Sequence, residues 1–154
     1  MKTIQEEIKQ TRPFPTLEEE AIVSLARTAA VVETASTDLM KSYGLTVTLY
    51  NVLRILRGAG PDGLCRYEVR DRLITPEPDV TRLLDRLEKA GFVTRERNSL
   101  NRREVKATIT KRGLDLLDEI DGPLRKLHDE QVGHMDEQDL RDLIRLLAVA
   151  RSHD

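Results

Sequence analysis

Apolar residues recur at helical spacing from residue 17 onward. Ile22, Leu25, Ala29, Val32 and Leu39 share one side of a predicted long helix that runs to about Ser42. Its start is marked by Thr16-Leu17-Glu18-Glu19. There the threonine hydroxyl suits the third amide and Glu19 can reach back, as in a capping box. Ahead of it, Ile4 and Ile8 allow one short amphipathic turn before Pro13 and Pro15 break it. Gly44 ends the long helix. A second helix, capped by Thr46 or Thr48, puts Leu49, Val52, Leu53 and Leu56 on one face, and residues 58–63 read as a loop. Residues 65–73 predict a short third helix. The prolines of Thr75-Pro76-Glu77-Pro78 then suit a helix's first turn, where amide donors are orphaned anyway. Residues 79–90 predict a fourth helix with Val80, Leu83, Leu84 and Leu87 as its inner stripe and Gly91 just past its end.

The period then drops from 3.6 to 2. Residues 92–97 and 103–109 predict two antiparallel strands, with Val105, Ala107 and Ile109 turned inward and residues 98–102 at the tip. Thr110 caps a fifth helix that should break or bend at Gly122-Pro123. Met135-Asp136-Glu137 opens a last one, with Leu140, Leu143, Ile144 and Leu147 as its apolar face. Two short helices, a tight turn and a following hairpin predict a mainly α chain with a small β wing, a winged helix-turn-helix flanked by association helices. One compact chain is expected, organised as a dimerisation arm and helix over 1–43, a winged helix-turn-helix over 44–112 and dimerisation helices over 113–154. The dimer is expected because Leu17, Leu116, Leu117, Ile120, Leu124, Leu127, Leu140, Leu143 and Leu147 exceed what one small head can cover.

Charge changes the picture most. The chain has 154 residues and a net charge of −2, yet residues 44–112 carry 15 Lys and Arg against 9 Asp and Glu. A basic middle between acidic ends is the asymmetry of a surface that meets phosphates. Aromatics are only 3%, so the core must be aliphatic. No apolar run approaches the roughly 20 residues that span a bilayer, and no secretory signal is visible, so no membrane partner and a cytoplasmic location are expected. One cysteine, three scattered histidines and no phosphate loop or nucleophile motif leave no basis for an enzyme, a metal or a cofactor.

The fourth helix carries Asp79, Thr81, Arg82, Asp85, Arg86 and Lys89 opposite its apolar stripe. Thr81 and Arg82, in the first turn, are the best candidates for base contacts, with Asp79 beside them and Arg86 one turn later on a base or a phosphate. Taken alone, such a helix is more simply a solvated face with Arg82–Asp85 and Asp85–Lys89 pairs. The hairpin shifts the balance. Arg95, Arg97, Arg102, Arg103 and Lys106 fall within twelve residues with only Glu96 and Glu104 between them, and such crowding calls for a polyanionic partner. Arg102 and Arg103 at the tip suit a narrow minor groove, whereas Arg95 and Arg97 share strand parity and suit phosphates.

At this point a resemblance becomes specific. DVTRLLDRLEKAGFVTR from Asp79 to Arg95, then Asn101-Arg102-Arg103 and Ile109-Thr110-Lys111-Arg112-Gly113, resembles the recognition helix and wing of the MarR (multiple antibiotic resistance regulator) family. The likeness covers Leu45 to Leu117 strongly. It implies a homodimer with interlocked terminal helices, each subunit reading half of a pseudo-palindromic operator in double-stranded DNA. It also implies repression in most members and release by a small aromatic or anionic effector. Asn101 stands where the family usually has Asp, which leaves Arg102 and Arg103 without that carboxylate.

Two further signals remain. Cys65 fits the N-cap of the third helix with Glu68 three residues on, and reads as a passive, partly buried thiol. Tyr43, Tyr50 and Arg54 are the candidates for an effector site, though such residues serve packing more often than binding. The competing function is a winged-helix protein-interaction module that binds no DNA.

Overall fold

The computed structural model describes residues 2–97 and 105–152. The helices are α1 (Ile4–Glu7), α2 (Leu17–Ser42), α3 (Val47–Ala59), α4 (Arg66–Arg72), α5 (Val80–Lys89), α6 (Lys111–Val132) and α7 (Glu137–Arg151). The strands are β1 (Leu64–Cys65), β2 (Val93–Arg97) and β3 (Val105–Ile109). They form one antiparallel sheet in the order β1-β3-β2. The fold is a winged helix-turn-helix, with α4 and α5 as the paired helices and β2–β3 as the wing.

Side-chain caps start the main helices. Thr16, Thr46 and Thr110 each accept from the amide three residues on, and Asp79 and Asp136 do so with carboxylates. Cys65 precedes α4, and its amide donates to Glu68 at 2.8 Å. The core gathers Leu49, Val52, Leu53 and Leu56 of α3, Val69 of α4, the α5 stripe, Val93, Ala107, and Leu117 and Ile120 of α6. Asn51 is buried among them, and its carbonyl accepts the Ile74 amide at 2.9 Å. This bond pins the turn between α4 and α5 from beneath.

Several expectations are corrected. Residues 58–63 are not all loop: α3 continues to Ala59 and Gly60–Asp62 make a 3-10 turn. Leu64 and Cys65 form an unforeseen third strand on β3. Pro76 and Pro78 precede the Asp79 cap and lie outside α5. Val105 is exposed, at the outer end of β3 opposite the exposed Arg97. Leu117 and Ile120, counted as association surface, are fully buried within this chain.

Helix α6 runs unbroken through Gly122 and Pro123. Proline lacks the amide that would bond the carbonyl four residues back. That carbonyl, Glu119 O, instead lies 3.5 Å from the Tyr43 hydroxyl, which donates to it from the end of α2.

The junction of α5, wing and α6 is tight. Gly91 has φ +81°, a conformation costly for side chains, and lets the chain turn directly into β2. Thr110 Oγ1 donates to Gly91 O at 2.8 Å, and the Thr110 amide donates to Phe92 O at 3.0 Å. A Cβ on Gly113 would stand 2.5 Å from Phe92 O and 2.7 Å from Ile109 Cγ1. Gly113→Ala should therefore destabilise the fold by about 1–3 kcal/mol through overpacking against backbone. Denaturant unfolding measures this, and unchanged stability would show that the junction yields freely.

Candidate nucleic-acid interface

The placement of α5 follows from its burial. Val80, Leu83, Leu84 and Leu87 are sealed in the core, so Thr81, Arg82, Asp85, Arg86 and Lys89 are exposed on the opposite side. Asp79 is exposed too, but Oδ1 accepts the Arg82 amide at 3.0 Å. Its job is to cap α5, and its charge has no attraction for phosphate. The intrahelical pairing that would have made α5 an ordinary solvated face does not form. Asp85 binds Arg95 instead. Among the described residues no carboxylate lies within ion-pair distance of Arg82 or Arg86.

Arg95 is the clearest correction at the site. Its parity with Arg97 suggested a phosphate-facing row, but Val93 shares that parity and is buried, so the row begins on the core side. The guanidinium reaches back to α5, with Nε 3.0 Å and Nη2 2.6 Å from Glu88 Oε2 and Nη2 2.5 Å from Asp85 Oδ1. The hydrogen bonds it donates to Glu88 and then to Asp85 hold its pKa above the ordinary arginine value. Arg95 is thus neutralised within the chain. The overlooked signal was Val93's parity, together with two acids three residues apart on the preceding helix.

Arg97 is exposed. Lys106 is half-buried on the other face of the hairpin, directly opposite Glu96, while Arg97 lies opposite Val105. Asn101, Arg102 and Arg103 lie outside the described residues, as does the rest of the expected tip.

Tyr43, Tyr50 and Arg54 are not brought around one cavity. Tyr50 is buried in the core, and Tyr43 serves the carbonyl left by Pro123. Arg54 lines an open groove of about 580 Å³ with Arg72, Asp62 and Leu64, to which neither tyrosine contributes. A more enclosed cleft of about 390 Å³ lies between α4, α5 and the sheet. Cys65, Arg66, Tyr67, Thr81, Leu84, Arg95 and Val105 line it. Sequence reasoning missed it because its walls come from five elements.

The head is tied to α6 by Arg57. Its Nη1 and Nη2 lie 2.8 and 3.0 Å from the two Asp121 oxygens, with Asp118 at 3.7 Å. The bidentate bond to Arg57 holds the Asp121 carboxyl below its ordinary value.

The MarR family model matches residues 45–105, from the start of α3 into the wing. A solved MarR transcription factor from Planctomyces limnophilus is 37% identical, with 89% of this chain and 99% of that one covered and a TM-score of 0.69. The chain belongs to the MarR family. Among curated relatives, the uncharacterized HTH-type transcriptional regulator YkoM of Bacillus subtilis is 35% identical over 80 residues, 52% of this chain. The matched stretch spans about half of that regulator's length, 51%. S. aureus MepR, solved as a DNA complex, shares the fold at a TM-score of 0.76 and 17% identity, with 90% of this MarR-family chain and 97% of MepR covered. The relatives' names describe transcriptional regulators, and the family places this chain among them. Among the described residues no helix is long and apolar enough to cross a membrane.

The Arg57–Asp121 pair predicts a pH effect. A depressed carboxyl stabilises the fold fully above its unfolded value, and that stabilisation is lost as pH falls through the folded value. Asp121→Asn should therefore be less stable than the parent near neutrality, by at most about 1 kcal/mol for so exposed a pair. The two proteins should converge in acid. Denaturant midpoints across pH test this, and a constant gap into acid would contradict it.

Proposed function

We propose that this MarR-family regulator reads duplex DNA as a homodimer, with α5 in the major groove and the β2–β3 wing beside it, and represses by occupying a pseudo-palindromic operator. The observation that carries the reading is the outer face of α5. Thr81, Arg82 and Arg86 stand exposed on a helix whose other face is sealed, and neither arginine is spent on a carboxylate. Arg82, in the first turn, sits where a recognition helix goes deepest, and its fork matches the acceptor edge of guanine. Arg86, Arg97 and Lys106 supply further positive charge. Arg102 and Arg103, in the stretch of sequence between β2 and β3, add to that charge.

The dimer reading rests on apolar surface that stands exposed among the described residues. No residue of α7 is buried, and Ile144 is 67% exposed beside Leu143, Leu146 and Val149. On α2, Leu17, Ile22 and Val31 are exposed as well. Each such side chain gains about 1.5–3 kcal/mol on burial, so a stripe of this kind favours a second copy. A two-fold pair of heads would meet half-sites about one DNA turn apart, roughly 34–36 Å. Release by a small anionic or aromatic effector fits the cleft behind Thr81. It offers Arg66 and Tyr67 beside the reading helix, so an occupant there would crowd the groove contact.

The test is binding to mixed genomic duplex and to a duplex selected from a random pool, each over a range of salt. Affinity should fall steeply with salt, by about 0.9 log unit per neutralised phosphate per log unit of salt. Arg82→Ala should cost about 1–3 kcal/mol on the selected duplex and less on mixed DNA. Equal losses would mean that Arg82 positions without reading. Negligible binding at any salt would favour the protein-interaction module. Ile144→Glu should shift the species seen by sedimentation from dimer to monomer, and an unaltered mass would place the association surface elsewhere.

A further inference from the structure

Arg95 occupies an unusual position between the two DNA-facing elements. At the base of the wing, backbone bonds already tie β2 to α5: the Phe92 amide donates to Leu87 O at 2.9 Å and the Gly91 amide to Glu88 O at 2.9 Å. Arg95 lies further out along the strand. Among the described residues it makes the outermost polar tie between hairpin and helix. Its side chain is 23% exposed, whereas those of Asp85 and Glu88 are 56% and 39% exposed. A planar fork held by two carboxylates fixes direction as well as distance, which a point charge cannot do.

The two acids also matter for where they stand. Asp85 is one turn from Thr81 on the same helix face and three residues from Arg82. An unpaired carboxylate in that row would meet phosphate with repulsion, which is costly across any interface. Arg95 draws both acids toward the hairpin and neutralises one of the two charges.

We propose that Arg95 is a positioning residue for DNA reading: by clamping Asp85 and Glu88 it sets the wing's angle on α5 and turns two carboxylates away from the duplex. Helix and wing then engage DNA as one body. The proposal rests on the DNA-reading function above. It replaces the expectation that Arg95 itself binds phosphate.

The experiment compares the parent protein with Arg95→Gln, Arg95→Lys and the triple change Arg95→Gln, Asp85→Asn, Glu88→Gln. Each is titrated with the selected duplex and with mixed genomic duplex across salt, with thermal unfolding alongside. Arg95→Gln should weaken the selected duplex by about tenfold, the scale of one lost base contact, and mixed DNA by less. Its salt slope should stay at the parental value. Arg95→Lys keeps the charge without the fork and should show the same loss of discrimination, and it serves as the readout if the glutamine variant does not fold. The triple variant should recover affinity for mixed DNA but not discrimination. Parental discrimination in Arg95→Lys, or a slope reduced by about 0.9, would overturn the proposal, the latter by making Arg95 a phosphate contact. If the parent itself binds neither duplex, the DNA reading fails first and the clamp with it. If the parent binds and all variants match it, only the clamp fails.

Discussion

Burial of one side of α5 constrains the rest of this molecule. Val80, Leu83, Leu84 and Leu87 fill a core shared with α3, α4 and the sheet. At about 1.5–3 kcal/mol for each buried aliphatic side chain, rotating the helix by a few tens of degrees would cost more than any surface pair could return. The exposed row of Thr81, Arg82, Asp85, Arg86 and Lys89 is therefore decided by the apolar residues, not by the charges themselves. Core packing thus determines which chemistry faces the solvent. The wing is then carried by the same helix, because Gly91 turns the chain straight from α5 into β2 and Thr110 closes the loop onto Gly91 and Phe92.

Where the apolar pattern was long and regular, the sequence could be read closely. The stripes of α2, α3 and α5 and the period change at residue 92 anticipated those elements, and the threonine caps of α2 and α3 with them. The failures share a cause: each depended on contacts between segments distant in sequence. β1 is two residues long, too short to show a period, and exists because β3 has a free edge beside it. Pro123 predicts a broken or bent helix by local rules, yet α6 continues through it, and Tyr43 from a segment 76 residues away meets the carbonyl that proline abandons. Tyr50 looked available for a ligand only because periodicity cannot say how deep an aromatic sits. At the candidate interface, helix geometry put Arg82 and Arg86 opposite the apolar stripe, where they are exposed. Arg95 turns toward α5 instead of outward, which strand parity compared with Arg97 and not with Val93 did not show.

Opposite charges on the α5 surface are sorted by distance from the wing. Asp85 and Glu88 point toward β2 and meet Arg95, and Asp79 turns onto the helix's own amides. What remains uncommitted on that face is cationic. A surface can thus be locally basic in a chain of net negative charge without excess arginine, provided that the acids on the same helix are used structurally. The same device explains why simple counting over residues 44–112 understates the asymmetry: several of the acids counted there are already engaged.

Among the described residues, α2 and α3 are held to α6 by a few specific polar ties. Arg57 on α3 grips Asp121 on α6, and Tyr43 at the end of α2 reaches Glu119, two residues earlier on that same helix. Both ties meet α6 within a single stretch beside Pro123, next to the buried Leu117 and Ile120. If α2 and α7 pair with a second copy, the spacing of two heads is set through this stretch, since nothing else among these polar contacts links α3 to the helices outside the head. A proline there is then less a flaw than a means of presenting one unpaired carbonyl. A regular helix would have satisfied that carbonyl internally, leaving Tyr43 no partner and α2 one fewer fixed point on α6.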